Sequence, residues 1–318
     1  MLEAGIRLTL KRRGAYPYTR KNMKNLSAPG AARTAGYPFR LSDGRTPRIA
    51  AFDLDDTLIS GDSHVLWIAW LCEEGLADRR YLKTVERMIA DYSEGRLDMP
   101  AFIREVTPAV AALPQARLEK LLAAFAAERI APRVRPHAAA AVAAAKAAGI
   151  IPVVISATCT YIVQAVARLF GVPPEDAIGI DLARDAAGRL TGEIEGIPSF
   201  REGKVARLDQ WIAAGNLLGR FGEAPAGAKD AFFITDSFND LPLAMHAGGA
   251  AVVNPDERLA AEAAARGWPV LSWHAPYAAE AADEAAAQRT IAAAADSQPA
   301  LSSTEEGSNG DPDDPDEE

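Results

Sequence analysis

Cysteine is almost absent: Cys72 and Cys159 are the only two in 318 residues. That excludes a disulfide framework and a cysteine-ligated metal cluster, so a reduced, cytoplasmic setting is expected. No apolar run approaches the ~20 residues that a membrane-spanning helix needs, so no membrane association is expected. The N-terminal stretch lacks the apolar centre of a secretory signal. That stretch is basic, but it has neither a helical period nor a nucleic-acid fold signature, and no nucleic-acid partner is expected. No internal repeat stands out.

What the chain does have is apolar residues, at 49%, enough to bury a sizeable core in one large domain or two ordinary ones. The net charge of -9 is unevenly spread. Residues 1–48 carry 11 Lys/Arg against Glu3 and Asp43, whereas from residue 280 onward 12 acids face Arg289 alone. The ends therefore read as tails on a mildly acidic globule. Residues 1–47 are expected to be a disordered basic extension, with Met23 a second candidate translation start. Residues 276–318 are expected to be an Ala/Glu-rich stretch, helical over about 278–295, followed by an acidic run too polar to order itself.

Between the tails, strand-like runs at 48–54, 150–155, 231–235 and 249–253, with a weaker one at 268–272, alternate with helical stretches. Those stretches are Pro136–Ala148, Thr160–Phe170, Lys204–Ala214 and Asp240–Ala247. The alternation predicts an α/β domain: a Rossmann-like parallel sheet with helices on both faces, built from 48–62 and 134–275. Residues 63–133 break the rhythm. Four helical segments (Val65–Glu74, Arg79–Ser93, Pro100–Ala111, Gln115–Glu128) follow one another without a strand, which predicts an inserted all-helical cap with Trp67, Trp70 and Leu71 in its core.

The run Ile49-Ala-Ala-Phe-Asp53-Leu-Asp55-Asp-Thr57 delivers two carboxylates to the carboxyl end of a short apolar strand. Buried acids there are costly unless something cationic pairs with them, and a metal ion with a bound phosphate would account for both; a helix N-cap is the plainer alternative. Three further patterns lie at strand ends or a helix start. Ser156-Ala157-Thr158 leads into a helix, offering a hydroxyl and main-chain N–H groups to an anion or serving as an N-cap. Gly203-Lys204 opens a helix after the hairpin-like Gly188–Gly196, where a lysine runs against the macrodipole unless an anion is near. Phe232-Phe-Ile-Thr-Asp236-Ser-Phe-Asn239-Asp240 places two more acids and an amide at another strand end.

Taken in this order, the four patterns resemble those of the haloacid dehalogenase superfamily of phosphotransferases, in the branch with a helical cap between its first two motifs. Phosphoserine phosphatases belong to that branch. The resemblance covers roughly residues 48–275. Phe52-Asp-Leu-Asp-Asp-Thr-Leu-Ile-Ser-Gly-Asp-Ser63, Glu202-Gly-Lys-Val, Asn239-Asp-Leu-Pro-Leu and Asn254-Pro-Asp-Glu-Arg-Leu are similar to a bacterial subgroup described as phosphoserine-phosphatase-like or as histidinol-phosphatases. The resemblance implies Asp53 as the nucleophile and Asp55 as the acid and base. It implies Mg²⁺ held by Asp53, Asp236 and the main-chain carbonyl of Asp55. Phosphate would be bound by Ser156, Ala157, Lys204 and Asn239, with Thr57 and Asp240 supporting them.

Specificity is expected in the cap. Asp62 lies where phosphoserine enzymes carry an acid for the substrate ammonium; capping the next helix is the alternative role. Those enzymes also carry an Arg-Val pair for the substrate carboxylate. Here the comparable stretch is Phe102-Ile-Arg104-Glu105-Val106, with Arg104 one position out of step. His64 and Arg104 are candidate lining residues. The expected partner is a small phosphorylated metabolite with an amine, histidinol phosphate first and phosphoserine second. A non-catalytic scaffold is the reading from another class, and the complete set of acids and Lys204 argues against it.

Overall fold

Six parallel strands stand side by side in the order β3-β2-β1-β6-β7-β8, and this order decides where a ligand can sit. The computed structural model describes residues 39–93, 96–111, 113–215 and 227–274. The expectations for residues 1–38, for the Ala/Glu-rich stretch and for the acidic run lie outside the described residues.

The first strand, β1 (Ile49–Phe52), is fully buried, as a central parallel strand covered on both faces must be. It pairs with β2 (Ile151–Cys159) on one side and β6 (Ala231–Thr235) on the other. Beyond β2 lies β3 (Ala177–Ile180); beyond β6 lie β7 (Gly249–Val253) and β8 (Val270–Leu271). A separate antiparallel hairpin, β4 (Leu182–Arg184) and β5 (Leu190–Ile194), follows β3. Alternate residues of β1 face opposite layers. Ala50 and Phe52 pack with α6 (Pro136–Ala147) and α7 (Thr160–Ala167), and Ile49 and Ala51 with α8 (Glu202–Ala213) and α9 (Leu241–His246). A further helix, α10 (Glu257–Arg266), buries Leu259 and Ala263 against Val252 of β7. The chain thus forms the parallel α/β sheet with helices on both faces that its pattern predicts.

Between β1 and β2 lie α1 (Ser63–Glu73), α2 (Arg80–Ser93), α3 (Met99–Val106), α4 (Pro108–Ala111) and α5 (Gln115–Phe125), with no strand among the described residues. Trp67 and Trp70 stack at 5.5 Å and meet the Phe125 ring at 5.1 and 5.9 Å, so this aromatic cluster is packing, as expected. The segment expected as one helix over Pro100–Ala111 divides at Thr107, because Pro108 has no N–H to continue the ladder. The last expected helix of the insertion runs from α5 into a π-turn over Ala126–Ile130.

Two expectations are corrected, and two elements are added. The core begins before residue 48: Phe39 sits edge-on to Phe52 and Phe232 at 6.3 and 5.8 Å, Leu41 is buried, and Ser42 N–H donates to Gly248 O. Strand β2 continues to Cys159, so Ser156 stands on extended backbone and not at a helix start. Strand β3 and helix α10 were not expected. Among the described residues, no helix is long and apolar enough to cross a membrane.

Candidate active site

Chain order along the sheet reverses at the junction of β1 and β6: the chain leaves β1 toward β2 and leaves β6 toward β7. Connections diverge there and open a crevice at the carboxyl edge, the usual ligand position in such sheets. Asp53 follows the last residue of β1 and donates its N–H to Ile234 O at 2.9 Å; Asp236 follows the last residue of β6. The two acids therefore stand on neighbouring strand ends.

Beyond Asp53 the chain turns sharply, with Leu58 N–H reaching back to Leu54 O and Asp56 at φ +53°. The turn brings the Thr57 hydroxyl to Asp236 Oδ1 at 2.8 Å. Asp55 is held on several sides. Ser63 N–H donates to its Oδ1 at 2.7 Å, and the hydroxyls of Ser156 and Thr158 donate to Oδ2 at 3.0 and 2.9 Å. Thr158 received no role from the sequence. It reaches Asp55 because β2 extends past Ile155, which points the side chains of 156 and 158 to the same side of the strand.

Lys204 comes from the first turn of α8. A Cβ on Gly203 would lie 1.9 Å from Pro198 O, so only glycine lets the helix start pack against that loop. The preceding Arg201 takes φ +52°, a strained conformation for an L-residue and of the sort that collects at functional sites. Thus placed, Lys204 Nζ donates to Asp53 Oδ1 and to Asp240 Oδ2, each at 2.7 Å, and is 2% exposed. Asp240 Oδ2 also accepts from Thr235 Oγ1 at 2.7 Å. Lys204 is therefore a buried, paired lysine and not a solvated one.

The cluster holds more negative charge than Lys204 can balance. Burial raises the Asp53 carboxyl well above its usual range; Lys204 opposes this, while Asp240, Asp236 and Asp55 add to it. Asp236 is pushed up to about 7, by burial first and then by Asp56. Burial also raises Asp55, against the bonds from Ser63, Thr158 and Ser156. Burial works to lower the proton affinity of Lys204, but Asp240 and Asp53 outweigh it and hold the ammonium charged. Such a cluster calls for a further cation, and an all-oxygen donor set suits a hard divalent ion. Among the described residues, no three Asp, Glu, His or Cys side chains could hold a metal by themselves. Two carboxylates and a main-chain carbonyl are all that the expected coordination requires.

The other expected residues are placed as follows. Asn239 Oδ1 accepts from Arg201 Nε at 3.2 Å. Ala157 lies between the two hydroxyl residues on the end of β2. Asp62 caps α1, accepting from Val65 N–H at 2.9 Å, and its carboxyl is pushed up to about 7 by burial and then by Asp55. His64 is buried edge-on to Phe102 at 5.0 Å. Arg104 is not brought to the carboxylates by any bond: it is half exposed and lies 3.7 Å from Glu193 on β5. Tyr92, which no sequence signal marked, extends from α2 to place its hydroxyl 3.5 Å from Ser237 Oγ. A cavity of about 460 Å³ between α5, α7 and the hairpin is lined by none of the site's carboxylates.

Comparison with known proteins places the chain in a family. The family model of haloacid dehalogenase-like hydrolases matches residues 50–245. A histidinol-phosphatase of Neisseria meningitidis serogroup C is 37% identical over 227 residues, 71% of this chain and 98% of that protein. A probable phosphatase of Mycobacterium tuberculosis is 30% identical over 245 residues, covering 75% and 81%. A solved Bordetella pertussis protein of unknown function superposes with a TM-score of 0.62 at 33% identity, over 71% of this chain and 99% of that one. On this evidence the chain belongs to the haloacid dehalogenase-like hydrolase family.

Proposed function

We propose that this hydrolase is a Mg²⁺-dependent phosphomonoesterase acting through an aspartyl phosphate, with histidinol phosphate as its first substrate. The carrying observation is the buried Asp53–Lys204–Asp240 chain, at 2.7 Å per contact, beside Asp55 and Asp236. In this reading an Asp53 carboxylate oxygen attacks phosphorus and the ester oxygen leaves, taking a proton from Asp55. Asp55 then takes a proton from water, whose oxygen attacks phosphorus and releases inorganic phosphate and free Asp53. The raised proton affinity of Asp55 suits it to the first, acidic task. A bound divalent cation, held by Asp53, Asp236 and the Asp55 carbonyl, would supply positive charge to the phosphoryl oxygens.

Lys204 stabilises negative charge that spreads over those oxygens, and Asp240 keeps it aimed. Ser156 donates to Asp55 in this structure, so its hydroxyl must turn to reach a phosphate. Thr158 still holds Asp55 after that turn.

Two observations favour an amine-bearing substrate without a carboxylate: the 37% identical histidinol-phosphatase, and the engagement of Arg104 with Glu193. Phosphoserine is the second reading, favoured by Arg201, whose guanidinium lies beside Asn239 at the site. The test is a panel of phosphorylated amino alcohols, amino acids and sugars, assayed with Mg²⁺ and then with EDTA. Highest kcat/KM on histidinol phosphate, lost with EDTA and in folded Asp53→Asn protein, is the expected result. Turnover by Asp53→Asn would remove the nucleophile assignment, and a preference for phosphoserine or sugar phosphates would remove the substrate.

A further inference from the structure

Tyr92 belongs to the helical insertion, yet its phenol oxygen lies 3.5 Å from Ser237 Oγ, on the loop that follows β6. The phenol's ionisation is suppressed by burial and further by Asp240 and Asp53, with Lys204 opposing, so the ring stands within electrostatic reach of the site's centre. Its neighbour is Phe200, with ring centroids 5.8 Å apart and planes 38° from parallel. Phe200 is fixed from the sheet side, because the adjacent Ser199 hydroxyl donates to Ser156 O at 2.5 Å. On the other side of Phe200 in the chain comes Arg201, its guanidinium carbon 4.9 Å from the Phe200 ring centre. Tyr92 and Phe200 are each only partly buried.

Two aromatic rings from different parts of the fold thus meet beside the charged cluster at the strand ends. Ser156, Lys204 and Asn239 account for the phosphate end of an ester, and none of them addresses its organic part. Half-buried aromatic rings attract flat and cationic groups through dispersion and the negative potential of their faces. We propose that Tyr92 and Phe200 form an aromatic wall that receives a planar ring in the leaving alcohol. The preferred substrates are then phosphate esters whose alcohol carries an aromatic or imidazole-like ring, over purely aliphatic amino-alcohol phosphates. This inference rests on the phosphomonoesterase reading above, and it assigns specificity to two residues outside the four motifs.

The wall is tested by kcat/KM ratios on two substrate pairs: histidinol phosphate against O-phosphoethanolamine, and benzyl phosphate against ethyl phosphate. Tyr92→Leu and Phe200→Leu are each expected to lower both ratios about tenfold, with most of the change in KM. Tyr92→Phe keeps the ring, loses the Ser237 contact, and is expected to hold both ratios within about twofold. Circular dichroism and thermal melts verify folding of each variant. Ratios unchanged in both leucine variants, or a Tyr92→Phe loss as large as that of Tyr92→Leu, would overturn the wall. The two readings fail separately. A wild-type enzyme that ignores histidinol phosphate but prefers benzyl to ethyl phosphate removes the substrate and keeps the wall. One that prefers histidinol phosphate, with ratios untouched by the leucine variants, does the reverse.

Discussion

Lys204 and Asp53, 151 positions apart in the chain, are joined by a 2.7 Å hydrogen bond with side chains 3% and 8% exposed. An ammonium and a carboxylate so far from water tolerate burial only by pairing, and here Asp240 adds a second acid to the same ammonium. Lys204 therefore has two tasks that separate experimentally: it offsets the resting acids and, in the function proposed above, it meets the substrate phosphate.

Lys204→Met leaves Asp53 and Asp240 without their cation. Removing one partner of a buried pair costs roughly 3–5 kcal/mol, less where the stranded acids can take up protons. The variant is expected to lose stability in urea at pH 7 and to recover part of it at pH 5. Its kcat should fall at least ~10³-fold at both pH values. Wild-type stability at pH 7 would mean that the ammonium does not offset those acids.

Metal binding should be visible in stability as well as in activity. Asp236 is pushed up to about 7, above its ordinary 3.8. Without metal, the folded state therefore binds more protons than the unfolded chain between those values. This stability is present below about pH 4 and is lost as pH rises through 7. A cation must displace that proton, so the rise in Tm caused by millimolar Mg²⁺ should grow from pH 6 to pH 8. EDTA should reverse it, and Asp236→Asn should abolish it. A Mg²⁺ effect that is equal at both pH values, or intact in Asp236→Asn, would place the cation elsewhere.

The parts of this site legible in the sequence were those where burial and charge conflict. Acids at the end of a short apolar strand need a counter-charge, so Asp53 and Asp55 stand out on their own, whereas Lys204 and Asp236 gain weight only when the four patterns are taken in order. Thr158 does neither, because Ser-Ala-Thr after Val-Val-Ile reads equally well as a helix start, and only the pairing of Cys159 with Ile180 shows the strand continuing. Strand β3 is four residues with a glycine among them, too short for a period to register. Helix α10 carries both boundary signals in its sequence: Asp256 caps its start and Gly267, at φ +67°, ends it. Tyr92 left no local trace, since an aromatic residue late in an amphipathic helix reads as packing until tertiary structure brings Ser237 to it.

Asp62 has a structural role that any test of substrate binding must hold constant. Its carboxylate caps α1 through Val65 N–H, and Ser at an N-cap performs about as well as Asp, whereas Ala costs roughly 0.5–2 kcal/mol. Asp62→Ser should therefore keep the melting temperature that Asp62→Ala loses. If the carboxylate also meets the substrate ammonium, both variants should raise KM for histidinol phosphate about tenfold and leave KM for ethyl phosphate unaltered. A KM change in Asp62→Ala alone would reduce Asp62 to its capping role.

His64 is expected to make the fold sensitive to mild acid. Its ring is 3% exposed, and its Nε2 has no hydrogen-bond partner among the described residues. Burial lowers its pKa from 6.5 to about 4. Below pH 6.5 the unfolded chain protonates this imidazole while the folded protein does not, so the slope of stability with pH is positive there. Stability should fall from pH 6.5 to about pH 4 by on the order of 3 kcal/mol from this residue alone. His64→Phe keeps an aromatic ring against Phe102 and removes the titration. Urea unfolding of wild type and variant at pH 7 and pH 4.5 isolates the effect, because the acidic cluster contributes equally to both proteins. The variant should lose markedly less stability than wild type over that interval. Equal losses would mean that the imidazole is already solvated, or charged, in the folded protein.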